Sequence, residues 1–177
     1  MKKTFSALLV FSLIINSSCK KVDELTEFDI PYSTKQTLPA SGIPVGGTAD
    51  FTTPDVQTDS QAKFAANSTA KDLISSVTMS KFSITNETGN LDFLRSFTVY
   101  INADGLGEVQ VASKALVPDG VSMVEADVTG ASIKEHIFKD KFRLRMTVSV
   151  DSLPAQEQQL KIDQVAHVSG KKLSKKK

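Results

Sequence analysis

The residue of this chain best suited to covalent chemistry is Cys19, its single cysteine. Upstream of this thiol lie a basic start, Lys2-Lys3, an apolar stretch, Phe5–Ile15, and the small pair Ser17-Ser18. This order of basic, apolar and small residues is typical of a secretory leader. The apolar stretch is eleven residues long, whereas a helix needs about twenty to cross a bilayer. We therefore interpret residues 1–18 as a removable signal peptide.

These residues resemble the signal of bacterial lipoproteins, in which a peptidase cuts just before a cysteine whose sulfur carries a diacylglyceryl group. Asn16 stands where that family usually has an aliphatic residue. The resemblance implies that Cys19 is the lipidation site and that the membrane is a partner of the mature protein. Since two acyl chains already give stable anchoring, no transmembrane helix is then required.

The residues after the cysteine extend the resemblance. Lys20–Glu24 is similar to the short lysine-plus-acidic stretch that follows the lipidated cysteine in surface-exported lipoproteins of the Bacteroidetes. A solvated, charged tether explains the same residues. We expect residues 19–28 to form the lipidated N-terminus and tether. The resemblance implies a protein of the cell envelope, anchored to the outer membrane on its periplasmic or its surface side.

The charges of the chain are unevenly distributed, although the formal net charge is +1. All 20 acidic residues lie between Asp23 and Asp163, and the range 22–170 carries 12 basic residues, a net charge of −8. An acidic body excludes nucleic acid as a partner, because such binding depends on neutralised phosphates. Residues 170–177 contain five lysines and are expected to be a disordered basic tail. This tail is either solvated or in contact with phosphates of anionic lipid or lipopolysaccharide.

Catalytic constellations are not evident in the sequence. Nucleophilic catalysis requires a serine or cysteine, a base and a group that orients the base, and no Gly-x-Ser-x-Gly motif occurs. His136 and His167 are the two histidines, and we expect both to be ordinary surface or edge residues. Two histidines and one cysteine make a zinc site improbable. The sequence therefore predicts no metal, no cofactor and no enzymatic activity.

Other polar side chains could bind a ligand, but each has a simpler structural explanation. Asn102–Glu108 carries oxygen-bearing side chains at alternate positions, as calcium loops do, and it also fits a hairpin loop, which we favour. Tyr100 could stack on a sugar, although exposed cross-strand packing is the commoner role. Arg143 and Arg145 could hold an anion in bidentate fashion. We expect these two arginines to be solubilising surface charges.

A weak modification motif occurs late in the chain. Asp151-Ser152-Leu153 resembles the O-glycosylation acceptor of the Bacteroidetes, which is Asp, then Ser or Thr, then an aliphatic residue. The resemblance implies Ser152 as the acceptor. A simple turn before Pro154 explains the same residues.

The elements that must position these side chains are mostly strands. The clearest is Phe142–Val150, where five apolar residues alternate strictly with polar ones. Phe97, Val99 and Ile101 alternate likewise and precede the predicted hairpin into Glu108–Ala112. The other predicted strands are Glu27–Tyr32 and Gly47–Thr52 as edges, Val77–Thr85 with a bulge near Lys81, Val121–Val128, and Gln159–Val168 with a phase shift near Gln164.

Two short helices accompany the strands. The stretch Asp59–Ser76 is ambiguous, because apolar residues fall near helical spacing while Asn67–Thr69 is a cluster of turn formers. We favour a helical turn over Thr69–Ile74 capped by Ser68. A second short helix is predicted over Ser132–Phe138, with Ser132 as its cap and a glutamate three residues on.

Strands at short intervals with little helix between them favour an all-β fold, an antiparallel β-sandwich of six to eight strands in two packed sheets, over residues 29–169. We predict a lipid-anchored, non-enzymatic envelope or surface lipoprotein with a binding, adhesion or structural role toward a protein or glycan. Two alternatives stay open. One is an anchored carrier whose sheets take up an apolar ligand, and the other is a small hydrolase that uses His136 or His167.

Overall fold

The computed structural model describes residues 27–41 and 43–170. The predicted signal peptide 1–18, Cys19, nearly all of the predicted tether and the lysines after Gly170 lie outside these residues. The described chain forms two antiparallel sheets with two short helices, which confirms the predicted all-β sandwich. Its strands number ten, against the six to eight predicted.

Strands and helices are labelled in chain order. The strands are β1 (Glu27–Leu38), β2 (Thr48–Thr52), β3 (Val56–Gln57), β4 (Ile74–Asn86), β5 (Leu94–Asn102), β6 (Val109–Lys114), β7 (Met123–Glu125), β8 (Asp127–Val128), β9 (Lys141–Val150) and β10 (Gln158–Gly170). The helices are α1 (Ser60–Ala66) and α2 (Lys134–Ile137), and a 3₁₀ turn covers Lys71–Leu73.

The two sheets differ in size. The four-stranded sheet has the order β1-β10-β4-β7, and the six-stranded sheet has the order β2-β9-β5-β6-β8, with β3 pairing to β9 beside β2. Pro31 lies in β1, which is an edge strand. This position is expected, because proline has no N–H to donate to a second neighbour.

The core lies between the sheets and is built from alternate residues of the long strands. Phe97, Val99 and Ile101 of β5 are buried, as predicted, and so is every second residue of β9 from Phe142 to Val150. Phe82 of β4 meets Phe97 across the sandwich, with ring centroids 6.4 Å apart. The hydrophobic burial of these faces is what holds the two sheets together.

The β-bulge predicted in β4 is confirmed. Met79 pairs with Ala166 and Lys81 pairs with Val165, so Ser80 is an extra residue on the β4 side. The bulge brings Met79 and Phe82 to the same buried face although they are three residues apart.

The phase shift predicted in β10 is wrong. Leu160, Ile162, Gln164 and Ala166 are all buried in one uninterrupted alternation. The strand therefore keeps its alternation of inward and outward residues and places a glutamine where the pattern calls for an apolar residue.

The single strand predicted over Val121–Val128 is also wrong. β7 pairs with β4 in one sheet and β8 pairs with β6 in the other. Between them the amide of Ala126 donates a hydrogen bond to the carbonyl of Phe82. The chain thus crosses between the sheets here: Val124 is buried, Ala126 is partly buried and Val128 is exposed.

The helical predictions need two corrections. The helical turn predicted over Thr69–Ile74 is a shorter 3₁₀ turn over Lys71–Leu73, and its cap residue is Ala70, where Ser68 was predicted. The longer helix is α1, which lies earlier in the chain. Ser68 has a positive φ of 54° in the turn that separates the two. Helix α2 lies inside the predicted range, but Ser132 pairs with Thr78 and does not cap it.

Strand register defines the two ends of the sandwich. Glu27 at the start of β1 pairs with Ser169 near the end of β10, and Gly170 pairs with Ile74 at the start of β4. We call this the proximal end; α1, the 3₁₀ turn and α2 lead into strands that start here. The distal end holds the connections 39–47, 87–93, 115–122 and 151–157.

Candidate functional sites

A row of three phenylalanines crosses the proximal end. Phe64 of α1 is buried, with its ring centroid 6.2 Å from that of Phe28 in β1 and 5.8 Å from that of Phe138 after α2. Both pairs have the edge-to-face geometry that aromatic rings prefer. Phe28 and Phe138 are only partly buried. Three segments remote in sequence therefore present apolar surface beside the start of β1.

Lysines flank this aromatic row. The ammonium groups of Lys71 and Lys134 each lie 5.4 Å from the centroid of the Phe138 ring. Lys71 donates a hydrogen bond to the carbonyl of Phe138, and Lys134 donates one of 2.9 Å to the carbonyl of Ile74. Leu73, in the 3₁₀ turn, is 41% exposed. The proximal end thus combines held cations with exposed apolar groups.

The outer face of the six-stranded sheet carries an ionic network centred on Arg145. Its guanidinium binds Glu108 at 2.7 Å and Asp50 at 3.2 Å, and it lies 4.3 Å from the centroid of the Tyr100 ring. The hydrogen bond from Arg145 lowers the pKa of Glu108. Tyr100 therefore packs under an arginine across the strands, as the sequence interpretation favoured.

Arg143 is engaged in the same way. Its guanidinium pairs with Asp55, which also binds Lys141 at 2.6 Å, and these hydrogen bonds lower the pKa of Asp55. Because carboxylates of the chain itself occupy both Arg143 and Arg145, the pair does not form an open anion site. The geometry agrees with the favoured reading of surface charges.

The calcium-like segment forms the connection between β5 and β6. Of its oxygen-bearing side chains, Glu108 is bound to Arg145, and Asp104 lies 4.0 Å from Arg143. Asn102 donates a 3.5 Å hydrogen bond to Glu108. These side chains face cations of the protein, which supports the hairpin-loop interpretation. Among the described residues no cluster of three or more His, Cys, Asp or Glu is placed to hold a metal ion.

The two histidines occupy separate positions. His136 of α2 is buried, and its Nε2 lies 2.9 Å from the carbonyl oxygen of Gly107. The sequence prediction of a surface or edge position is therefore wrong for His136. His167 in β10 lies on the outer face of the four-stranded sheet, with Nδ1 2.8 Å from Asp29 Oδ1. Within the described part of the chain no serine or threonine hydroxyl hydrogen-bonds to either ring.

A shallow groove of about 630 Å³ runs over the outer face of the four-stranded sheet. Lys81, Glu125, Asp163 and Ser33 are among the residues that line it. Lys161 binds Asp163 at 2.7 Å and lowers its pKa. The groove is open, and its lining combines these polar side chains with apolar ones, Pro31, Ala126 and Val165 among them.

Gln164 is a notable residue that the sequence interpretation missed. Its side chain is buried among the inward residues of the sandwich, between its cross-strand partners Tyr32 and Phe82. Neither its amide nitrogen nor its amide oxygen hydrogen-bonds to any described residue. The signal was present in the sequence, since reading one unbroken alternation from Leu160 to Val168 places Gln164 inside.

Ser152, the glycosylation candidate, lies in the exposed connection between β9 and β10. Its neighbour Asp151 forms a 3.5 Å ion pair with Arg95, and Leu153 is exposed. The hydroxyl is therefore at the distal end, on a surface that an enzyme can reach. Cys19, the lipidation candidate, lies outside the described residues.

Comparisons with known proteins add little to this geometry. The chain matches no protein-family model, and no curated protein matches it significantly. Among solved structures, a chain from Desmodium yellow mottle tymovirus is similar, with 10% sequence identity over 98% of this chain and 100% of that chain, at a TM-score of 0.28. In the part of the chain that the structure describes, no helix is long and apolar enough to cross a bilayer.

Proposed function

We propose that this protein is a lipid-anchored, non-enzymatic protein of the cell envelope, held on the outer membrane by acylated Cys19, with a binding, adhesion or structural role. The proposal rests first on the leader: the single thiol follows a basic, apolar and small-residue segment that resembles a lipoprotein signal. The function of the sandwich is then to present its surface at a short, set distance from the membrane.

The supporting observation is the position of the first described strand. β1 starts at Glu27, eight residues after Cys19. An extended chain spans at most about 3.6 Å per residue, so the anchor lies within about 29 Å of the sandwich. The distal end and the groove then face away from, or across, the membrane surface and are available to a partner.

The hydrolase alternative has one observation in its favour. The contact between Asp29 and His167 has the form of a carboxylate that orients a base. A serine esterase or peptidase would need a hydroxyl at His167 Nε2, and no described hydroxyl hydrogen-bonds there. We therefore retain the binding role as the proposal. An activity screen on model esters and peptides tests the alternative: turnover that is lost in His167→Ala and kept in His136→Ala would favour it.

Metabolic labelling with palmitate tests the anchor directly. We expect the wild-type chain to incorporate label, and its mature N-terminal peptide to begin at a Cys19 that carries acyl mass. Cys19→Ser should remove the label completely, because serine has no thiol for the diacylglyceryl transfer. Ser18→Ala is the matched control, since alanine keeps a small side chain beside the cut and should leave the label intact. Label that survives in Cys19→Ser would overturn the proposal.

A second experiment addresses the binding role and its location. Protease shaving of intact cells should digest the sandwich if it is displayed at the surface and spare it if it faces the periplasm. Pull-downs with surface glycans and with envelope proteins then compare the wild type with a groove variant, Lys81→Ala with Glu125→Ala. Capture that is equal for both proteins would exclude the groove as the binding surface.

A further inference from the structure

We propose that the distal end of the sandwich binds a short, extended protein segment that carries aliphatic and basic side chains. The binding surface is an apolar row formed by Val45, Leu153 and Leu116, which we call the distal row, together with the carboxylates beside it. This inference deepens the proposed binding role, on which it rests, because it names the surface and the chemical class of the partner.

The distal row consists of aliphatic side chains that the fold leaves in solvent. Val45 is 60% exposed, Leu116 is 69% exposed and Leu153 is 43% exposed. They are three of the six large hydrophobic side chains that are exposed among the described residues. Single exposed hydrophobic residues are normal on a protein surface, whereas several that lie together mark a contact site.

The three side chains lie together because their connections join neighbouring strands. Val45 precedes β2, Leu153 follows β9 and Leu116 follows β6, in a sheet whose order is β2-β9-β5-β6. The amide of Gly46 donates a 2.9 Å hydrogen bond to the carbonyl of Val150 at the end of β9. Since neighbouring strands lie about 4.8 Å apart, the row is about 14 Å long.

Each of the three connections is fixed by a buried residue next to the exposed one or two positions away. These residues are Ile43, Val117 and Pro154. The amide of Val117 also donates a 2.8 Å hydrogen bond to the carbonyl of Arg95. The row is therefore held in place before a partner binds, which lowers the entropic cost of association. Its length matches about four residues of an extended chain, so the occupant is a short segment.

The charges beside the row are mainly negative. The four distal connections contain five charged residues, and all of them are acidic: Glu87, Asp92, Asp119, Asp151 and Glu157. Lys35 pairs with Glu87 at 2.6 Å, and Arg95 pairs with Asp151 at 3.5 Å. Among the described residues the other three carboxylates form no ion pair, and Lys114 at the end of β6 is the nearby cation in the same state. The excess of negative charge complements a basic partner.

The same features disfavour other classes of occupant. Sugars stack on exposed aromatic rings, and none of the exposed large hydrophobic side chains in the described part of the chain is aromatic. Anionic lipid headgroups would meet carboxylates of their own sign. Because β10 is 13 residues long, the distal end lies about 40 Å from Glu27. A lipid anchor before Glu27 is therefore at the opposite end of the sandwich.

Synthetic peptides test the class of partner. The probe is a short fluorescent peptide of alternating lysine and leucine, and two comparison peptides replace its lysines by glutamate or its leucines by serine. Fluorescence anisotropy is measured with the whole chain, as its host processes it, in neutral detergent, and with the detergent alone. Burying the exposed part of one aliphatic side chain strengthens binding by about fivefold. We expect the serine peptide to bind at least about tenfold more weakly than the probe, and the glutamate peptide not to bind.

Paired variants locate the binding surface. Val45→Ser with Leu116→Ser removes two members of the row and should weaken binding of the probe by at least about tenfold. Leu73→Ser with Val128→Ser is the matched control, because it removes two exposed hydrophobic side chains elsewhere on the fold. The control should bind the probe almost as well as the wild type. Circular dichroism and thermal unfolding verify that both double variants are folded.

The contribution of charge has its own variants. Asp119→Asn with Glu157→Gln should weaken binding of the probe by about fivefold at low ionic strength. Added salt should remove this difference, because exposed charges are screened over about 8 Å at physiological ionic strength. Leu116→Lys places a cation in the row and should repel the probe.

Three results would overturn the inference. The first is an equal loss of probe binding in the row variant and in the control variant. The second is binding of the glutamate peptide as tight as that of the lysine peptide. The third is binding of phosphatidylglycerol vesicles that Val45→Ser with Leu116→Ser abolishes, because the occupant would then be a membrane.

The two proposals fail separately. Palmitate labelling reports on the anchor, whereas peptide binding reports on the distal row. A labelled chain whose row variant binds the probe as the wild type does would keep the anchor and remove the distal row. An unlabelled chain that binds the probe through the distal row would keep the surface and remove the anchor.

Discussion

Replacing Gln164 by methionine should stabilise the protein. The glutamine side chain is 1% exposed and makes no hydrogen bond to any described residue through either of its amide atoms. Methionine has a similar length, no polar hydrogen-bonding requirement and enough flexibility to fill the same space. The substitution therefore removes two unmet polar groups and leaves the packing between Tyr32 and Phe82 largely unchanged.

The magnitude follows from the cost of burying polar groups. A buried donor or acceptor without a partner costs about 1–3 kcal/mol. The methionine variant avoids this cost for two amide atoms, but imperfect fit of the new side chain offsets part of the gain. We therefore expect the free energy of unfolding to rise by about 1–3 kcal/mol in total. For a domain of this size, 1 kcal/mol moves the Tm by about 2–4 °C. The Tm should therefore rise by about 2–12 °C.

Gln158 provides the matched control. It lies in the same strand and in the same buried phase, but its side chain accepts a 2.7 Å hydrogen bond from Asn86 and donates one of 2.7 Å to the carbonyl of Gln156. Gln158→Met should therefore destabilise the fold by about 1–3 kcal/mol, because it strips Asn86 of a buried partner. Urea unfolding of both variants should show opposite shifts of the midpoint at an unchanged m value.

A drop in stability of 1 kcal/mol or more in Gln164→Met would refute the reasoning. It would mean that the amide of Gln164 has hydrogen-bonding partners in solution that matter to the fold. Equal destabilisation of both variants would also refute the reasoning, because the prediction depends on the contrast between a hydrogen-bonded amide and one without partners.

Two further predictions concern the core and the outer face of the six-stranded sheet. Phe97→Ala should cost about 3–5 kcal/mol, because Phe97 is buried and meets Phe82 across the sandwich; thermal unfolding checks this, and a loss below about 1 kcal/mol would contradict it. The pKa of Glu108 is lowered in the fold by Arg145, so its contribution to stability is complete above its unfolded pKa of about 4.3 and is lost as the pH falls through the lower folded value. Glu108→Gln should therefore flatten the acid side of the stability profile, and an unchanged profile in urea titrations below pH 5 would count against the ion pair.

Strict alternation was the part of the sequence that predicted structure best. In β9 five apolar residues recur at every second position, and all of them face the core. Such a pattern admits one register only, because a shift by one residue would expose the whole apolar face. The bulge near Lys81 was predictable for the same reason, since two apolar phases in one strand need an extra residue between them.

The errors arose where tertiary context overrides the local pattern. Val121–Val128 alternates as one strand does, yet the chain changes sheets at Ala126 because both β4 and β6 have edges to be paired. Gln164 interrupts the apolar residues of β10, and glutamine is seldom buried, yet packing between the sheets keeps it inside. In both cases the partner strand lies about 15 residues or more away in sequence. A short stretch of sequence therefore does not reveal the pairing.

The proximal end is the clearest example of a feature that local sequence cannot predict. Phe28, Phe64 and Phe138 come from an edge strand, a helix and a connection, and none has periodicity with the others. Cys19 and the lysine-rich segment, by contrast, were evident from residue types alone, but they lie at opposite ends of the chain. Only the pairing of β1 with β10 brings the two ends of the described chain together. The antiparallel register thus places Glu27 beside Ser169, although the two residues lie at opposite ends of the described sequence.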